Sequence, residues 1–70
     1  MVEVFKTNVE QPEDAERLVL QIHARFIGWQ ASFDLTDCDR ILRIEGIKNE
    51  QENIEVITLL SQQGYAATPL

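Results

Sequence analysis

The spacing of apolar residues along this chain alternates between a period of two and a period of three to four, which limits what its 70 residues can fold into. Residues 2–7 are rich in β-branched and aromatic side chains, as strands are. Residues 29–35 alternate between apolar and polar types, which predicts a strand with one buried face. Residues 36–39 favour a hairpin turn, so residues 40–45 are predicted to be its second arm.

Two other segments carry apolar residues at helical spacing. The first helix is predicted to begin at Pro12, with acidic residues in its first turn where the helix dipole favours them, and to end near Gly28. Its predicted buried stripe is Ala15, Leu18, Val19, Ile22 and Phe26. Asn49 and Glu52 have the spacing of a capping box that opens a second helix, which Gly64 closes. The predicted buried stripe of that helix is Ile54, Ile57 and Leu60, with Val56 at its margin and Leu59 outside it.

A short final strand is predicted at residues 65–68, and Pro69 restricts it to the edge or the end of a sheet. The element order is then β-α-β-β-α-β. Right-handed crossovers place both helices on one face of a four-stranded antiparallel sheet. The sequence therefore predicts an α+β, ferredoxin-like βαββαβ sandwich that forms a single domain over residues 1–70.

Composition narrows the classes of partner and compartment. The net charge is −6, and the six basic residues are scattered, whereas duplex binding needs clustered Lys and Arg. No apolar run approaches the length of a membrane span, and the N-terminus lacks the features of a secretory signal. Cys38 is the only cysteine, so no internal disulfide can form. We therefore expect a cytoplasmic protein that binds neither nucleic acid nor membrane.

The predicted hairpin and the end of the chain resemble a known family. Residues 33–35 (Phe-Asp-Leu) and 42–46 (Leu-Arg-Ile-Glu-Gly) resemble the V-x-V-D-L … V-x-V hairpin of heavy-metal-associated domains. Residues 60–67 (Leu-Ser-Gln-Gln-Gly-Tyr-Ala-Ala) are similar to the I-x-x-x-G-Y-x-A close of that family. The resemblance covers nearly the whole chain and implies the same βαββαβ fold.

The family binds soft metal ions through the motif M-x-C-x-x-C at the start of its first helix, and this chain departs from the motif there. Val9 stands at the position of the methionine, and Gln11 and Asp14 stand at those of the two cysteines. An amide and a carboxylate cannot replace two thiolates for copper(I) or zinc. We therefore expect a non-catalytic binding or interaction domain without cofactor, similar to heavy-metal-associated domains but lacking their soft-metal site.

The alternative function is metal binding at a modified site. In this topology the first β–α loop, the hairpin turn and the last α–β loop lie at one end of the sheet. The candidate ligands at that end are Cys38, Asp14, Asp37 and Asp39. Their spacing matches neither a dedicated calcium loop nor a zinc motif, so a solvated acidic rim is the competing interpretation.

The first helix is predicted to carry a second apolar strip that the core does not need. This strip consists of Leu20, Ala24 and Ile27 and is the candidate interaction surface. A protein partner or a weak homo-oligomer is the expected occupant. His23 flanks the buried stripe with no nucleophile at triad-like spacing, so we expect no catalytic site and no enzyme activity.

Overall fold

The computed structural model describes residues 2–70 and confirms the predicted α+β, ferredoxin-like fold. Its elements in chain order are β1 (Val2–Thr7), α1 (Pro12–Arg25), β2 (Gln30–Asp34), β3 (Ile41–Glu45), α2 (Glu50–Gln62) and β4 (Ala67–Pro69). The strands form one antiparallel sheet in the order β2-β3-β1-β4. The helix α1 packs next to β2, and α2 packs next to β4. The two edges of the sheet are therefore β2 and β4.

The core lies between the two helices and one face of the sheet. The central strands contribute Phe5, Leu42 and Ile44, which are completely buried. Helix α1 contributes Leu18 and Ile22, which are also completely buried. Full burial of each such side chain stabilises a fold by about 1.5–3 kcal/mol, so this cluster is the main source of stability.

Local sequence signals account for the start of each helix and the end of the second. Pro12 opens α1, and Gln11 before it makes no side-chain capping hydrogen bond. Asn49 caps α2, because its Oδ1 accepts a hydrogen bond from the Glu52 backbone N–H at 3.0 Å. The Glu52 carboxylate accepts a hydrogen bond from the Lys48 N–H at 2.6 Å. In a standard capping box it would accept from the N-cap residue, Asn49, so the acceptor is shifted by one residue. At the other end of α2 the predicted closure at Gly64 is confirmed.

The buried face of α2 differs from the predicted stripe. Ile54 is 49% exposed, whereas Leu59 is only 6% exposed and belongs to the core cluster. Val56 and Leu60 are completely buried, and the polar Asn53 is buried with them. The prediction was wrong about Ile54 and Leu59 because α2 is rotated to put its 53/56/60 row against the sheet. Leu59 then packs at the flank of that row.

Three predicted boundaries also shift. Helix α1 ends at Arg25, so Phe26, Ile27 and Gly28 belong to the connection that follows it. Trp29 precedes β2, where it is buried and stacks on the Phe26 ring at 4.1 Å between centroids. Strand β4 begins at residue 67 rather than 65, and Pro69 lies in it, at the edge of the sheet as predicted. Within residues 2–70 neither helix has the length and apolar character needed to cross a membrane.

Candidate functional site

Three connections meet at one end of the sheet, as the topology predicts. The Thr7 backbone N–H donates to the Asp39 carbonyl at 3.1 Å, and the Thr7 hydroxyl donates to the Arg40 carbonyl. These bonds join the loop after β1 to the β2–β3 turn. The Ala66 N–H donates to Asn8 Oδ1 at 2.8 Å, which joins the α2–β4 connection to the same loop. We call this region the loop end.

The loop end holds Asp14 in a small polar network of its own. Arg17 Nη1 donates to Asp14 Oδ1 at 2.9 Å, one helical turn along α1. The nearby Tyr65 side chain, and next the hydrogen bond from Arg17, hold the pKa of Asp14 below its ordinary value. The Asp14 carboxylate in turn raises the pKa of Tyr65. The Asp14 carboxylate therefore pairs with Arg17 within α1 and interacts with Tyr65 of the α2–β4 connection.

Of the four candidate metal ligands, three come together and one does not. The ligand atoms of Asp37, Cys38 and Asp39 all lie within 4.8 Å of one another, and Asp14 is not a member of this group. Asp37 Oδ1 accepts the Asp39 backbone N–H at 2.8 Å, and Asp39 lies 3.7 Å from Lys6 Nζ. The turn geometry and the ion pair account for the proximity of these groups, and Cys38 is an exposed free thiol.

The motif positions in front of α1 have separate structural roles. Val9 is completely buried. Its backbone N–H donates to the Thr7 hydroxyl at 3.2 Å, which anchors the loop to the end of β1. Gln11, at the first cysteine position, is exposed at the N-cap of α1. Nothing in these contacts brings a second soft ligand towards Cys38.

A second candidate site lies on the other side of α1, where the helix meets the edge strand β2. An open groove of about 420 Å³ runs between them. Its helix side is formed by Pro12, Ala15, Glu16, Val19 and Leu20, and its sheet side by Ala31, Ser32, Phe33 and Leu35. Glu16 is the only charged residue among them. We call this region the α1–β2 groove, and it is a predominantly apolar surface next to a free strand edge.

The edge of β2 is closed at one point by a side chain. The Ala31 backbone N–H donates to His23 Nε2 at 3.0 Å, so it points away from β3. In an antiparallel pair, alternate residues direct both backbone groups to the same side. Phe33, two residues along the strand, therefore presents its N–H and C=O at the open edge.

The predicted interaction strip divides between two places. Leu20 is 63% exposed and lines the α1–β2 groove, and Ala24 is exposed one turn later on the same helix. Ile27 is 92% exposed, but it follows the end of α1 and does not share a helix face with the other two. The prediction of one continuous strip was wrong, because the helix ends two residues before Ile27.

The sequence interpretation missed the sheet side of the groove. The sequence predicts Val19 in the core stripe and Phe33 on a buried strand face, yet both are only half-buried and line the groove. The signal that was available is the topology itself, because this fold puts its second strand at an edge. Searches against models of known protein families, curated proteins and solved structures found no match to this chain.

Proposed function

We propose that this chain is a non-catalytic cytoplasmic interaction domain, related to heavy-metal-associated domains, that binds another protein through the α1–β2 groove. The observation that carries the proposal is the position of an apolar groove directly beside the free edge of β2. Edge strands with open backbone groups readily pair with a further strand, and adjacent apolar pockets then select its side chains.

The exposure of Leu20 supports this use of the surface. Its side chain is 63% exposed although it borders Val19 and the apolar sheet residues of the groove. A partner that covers it removes apolar surface from water at about 25 cal/mol per Å². Isolated exposed apolar residues are ordinary on protein surfaces, but one that lines a groove next to an unpaired strand adds to a surface already suited to binding.

Site-specific photo-crosslinking in cells that express the full chain tests this proposal. Benzoylphenylalanine placed at Leu20 is expected to yield a crosslinked species with a second polypeptide. The matched control is the same group at Ile54, which is 49% exposed on α2, away from the groove. Crosslinking of equal strength at both positions, or at neither, contradicts the proposal.

A weak homo-oligomer is the alternative use of the same surface. A second copy would bring two chains of net charge −6 together, and that repulsion is largest at low salt. Screening reduces it, because the Debye length falls to about 8 Å at physiological ionic strength. Sedimentation at low and high salt distinguishes the two: a monomer mass at both excludes the homo-oligomer.

The second candidate function is cation binding at Asp37, Cys38 and Asp39, whose ligand atoms are within 4.8 Å of one another. Two carboxylates with one thiolate suit zinc better than calcium, but three consecutive residues leave most of the coordination sphere to water. Competition against a chelator of known strength tests this function. A one-to-one zinc complex that the Cys38→Ser substitution abolishes would favour it over the interaction domain.

A further inference from the structure

The free part of the β2 edge is short and has two defined ends. At one end His23 Nε2 already accepts the Ala31 N–H. At the other end β2 stops at Asp34, and Arg40 Nη1 holds the next carbonyl, that of Leu35, within the β2–β3 turn at 2.9 Å. Phe33 lies between these two closed positions. A strand that pairs here is therefore centred on Phe33 and exchanges both of its backbone hydrogen bonds with that residue.

The groove determines which side chains such a strand can carry. Phe33 faces the helix side of the sheet, as its cross-strand partner Leu42 does, so the incoming residues on that side meet the groove. Ala15, Val19 and Leu20 form its opposite wall. Side chains of a strand alternate between its two faces, so every second residue of the partner is expected to be apolar.

The acidic residues of α1 determine which polar side chains of the partner fit between its apolar residues. Among residues 2–70 Glu16 is the only charged residue that lines the groove, and Glu13 is exposed one turn before it on α1. The nearest basic residue along this helix, Arg17, is paired with Asp14. The groove is therefore an apolar surface with an acidic helix rim on a chain of net charge −6. Lysine or arginine in the partner complements this rim, whereas a carboxylate is repelled.

We infer that the occupant of the α1–β2 groove is an extended segment of another protein, in which apolar residues alternate with Lys or Arg, added to the sheet as a fifth strand at Phe33. This inference rests on the proposed function and identifies the chemistry of the partner. A second copy of the chain fits less well. Its own β2 reads Gln-Ala-Ser-Phe-Asp and carries no basic residue, and its Ala31 N–H is already bound to His23.

The test uses a fluorescein-labelled peptide of alternating valine and lysine and the full chain, with binding measured by fluorescence anisotropy. Glu16→Lys and Leu20→Gln are each expected to raise the dissociation constant by about threefold to tenfold. The matched controls are Glu50→Lys and Ile54→Gln, which make the same changes at exposed positions of α2. These controls are expected to change the constant by less than about twofold. Thermal melts followed by circular dichroism verify that all four variants remain folded.

Two altered peptides separate strand pairing from simple charge attraction. A peptide with N-methylated valines keeps its charge but loses backbone donors, and it is expected to bind at least about tenfold more weakly. A peptide with glutamate in place of lysine is expected not to bind. Equal binding of the N-methylated peptide, equal binding of the acidic peptide, or equal effects of the α1 and α2 substitutions each overturns the inference.

Crosslinking and peptide binding together distinguish a failure of the proposed function from a failure of the inferred partner chemistry. If the valine–lysine peptide does not bind while crosslinks persist at Leu20, the interaction surface stands and the inferred partner chemistry is wrong. If sedimentation shows a dimer that Leu20→Gln dissociates, the occupant is a second copy, which also overturns the inference. If both the crosslinks and the peptide binding are missing, the proposed function fails with it.

Discussion

Replacing Gly46 with alanine tests how closely the end of β3 packs against Trp29. Gly46 has a φ of +112°, and a Cβ built on it lies 2.7 Å from Trp29 Cδ1 and 3.3 Å from the Trp29 Cα. The backbone conformation alone costs an alanine about 1–3 kcal/mol. The close contact adds about 1–3 kcal/mol, because the neighbouring Trp29 Cα is backbone and cannot turn aside. We therefore expect Gly46→Ala to lower the free energy of unfolding by about 2–6 kcal/mol.

The matched control is Gly64→Ala, because Gly64 has a φ of +91° and a Cβ there has no neighbour within 4 Å. It is expected to lose only the backbone contribution, about 1–3 kcal/mol. A domain of this size has a total stability of roughly 3.5–10 kcal/mol, so Gly46→Ala is expected to be marginal or partly unfolded. Urea unfolding followed by far-ultraviolet circular dichroism measures both variants. Losses that agree within about 0.5 kcal/mol would contradict close packing of Gly46 against Trp29.

Three further substitutions each test one polar side chain. Asn49→Ala removes the cap of α2 and is expected to lower the free energy of unfolding by about 1 kcal/mol, which corresponds to a fall in Tm of about 4–8 °C. The control Gln11→Ala removes no capping bond and should leave Tm unchanged. Among residues 2–70 the Oδ1 of buried Asn53 has no hydrogen-bond partner, so Asn53→Leu is expected to raise the free energy of unfolding by about 1–2 kcal/mol; a loss of stability in urea unfolding would contradict this. Hydrogen bonds from the Thr36 hydroxyl, and next from its backbone N–H, lower the pKa of Asp34 below its ordinary value of 3.8. These bonds therefore stabilise the fold above that pH, and their contribution is lost as the pH falls through the lower pKa of the folded state. Melts between about pH 5 and pH 2.5 should therefore show a smaller loss of Tm for Asp34→Asn than for the unchanged chain, and equal losses would contradict this assignment.

The sequence predicts the fold well, because most of its local signals agree. Pro12 marks the start of α1, and Asn49 caps α2 as predicted. The alternation along β2 and β3 correctly identifies the buried Leu42 and Ile44. Each of these signals depends on neighbouring residues alone, so the pattern carries the information without knowledge of the tertiary contacts.

The errors arise where tertiary packing decides. Helical periodicity does not distinguish Ile54 from Leu59 as the buried residue of α2, because the two residues flank the 53/56/60 row on opposite sides. The rotation of the helix on the sheet selects Leu59. The extent of α1 is overestimated for a similar reason: Phe26 leaves the helix and stacks on Trp29, so Ile27 is not on the helix face.

The candidate site could be predicted only in part. Leu20 was identified as exposed, but the groove needs its sheet side, and that depends on which strand lies at the edge. The hydrogen bond between His23 and the Ala31 N–H joins residues on two elements, and no local pattern indicates it. Asp37, Cys38 and Asp39 come together because they are consecutive residues of the predicted hairpin turn. Asp14 is absent from that group, since its contacts are to Arg17 and Tyr65.

Amide hydrogen exchange at Phe33, with and without the valine–lysine peptide, tests directly whether a strand adds at the edge of β2. In the free chain we expect protected amides at Ser32 and Asp34, which face β3, and a Phe33 amide that exchanges readily. At saturating peptide the Phe33 amide is expected to exchange at least about tenfold more slowly, while Ser32 changes little. A Phe33 amide that is already protected in the free chain, or that stays unprotected when the peptide is bound, would contradict strand addition at this edge.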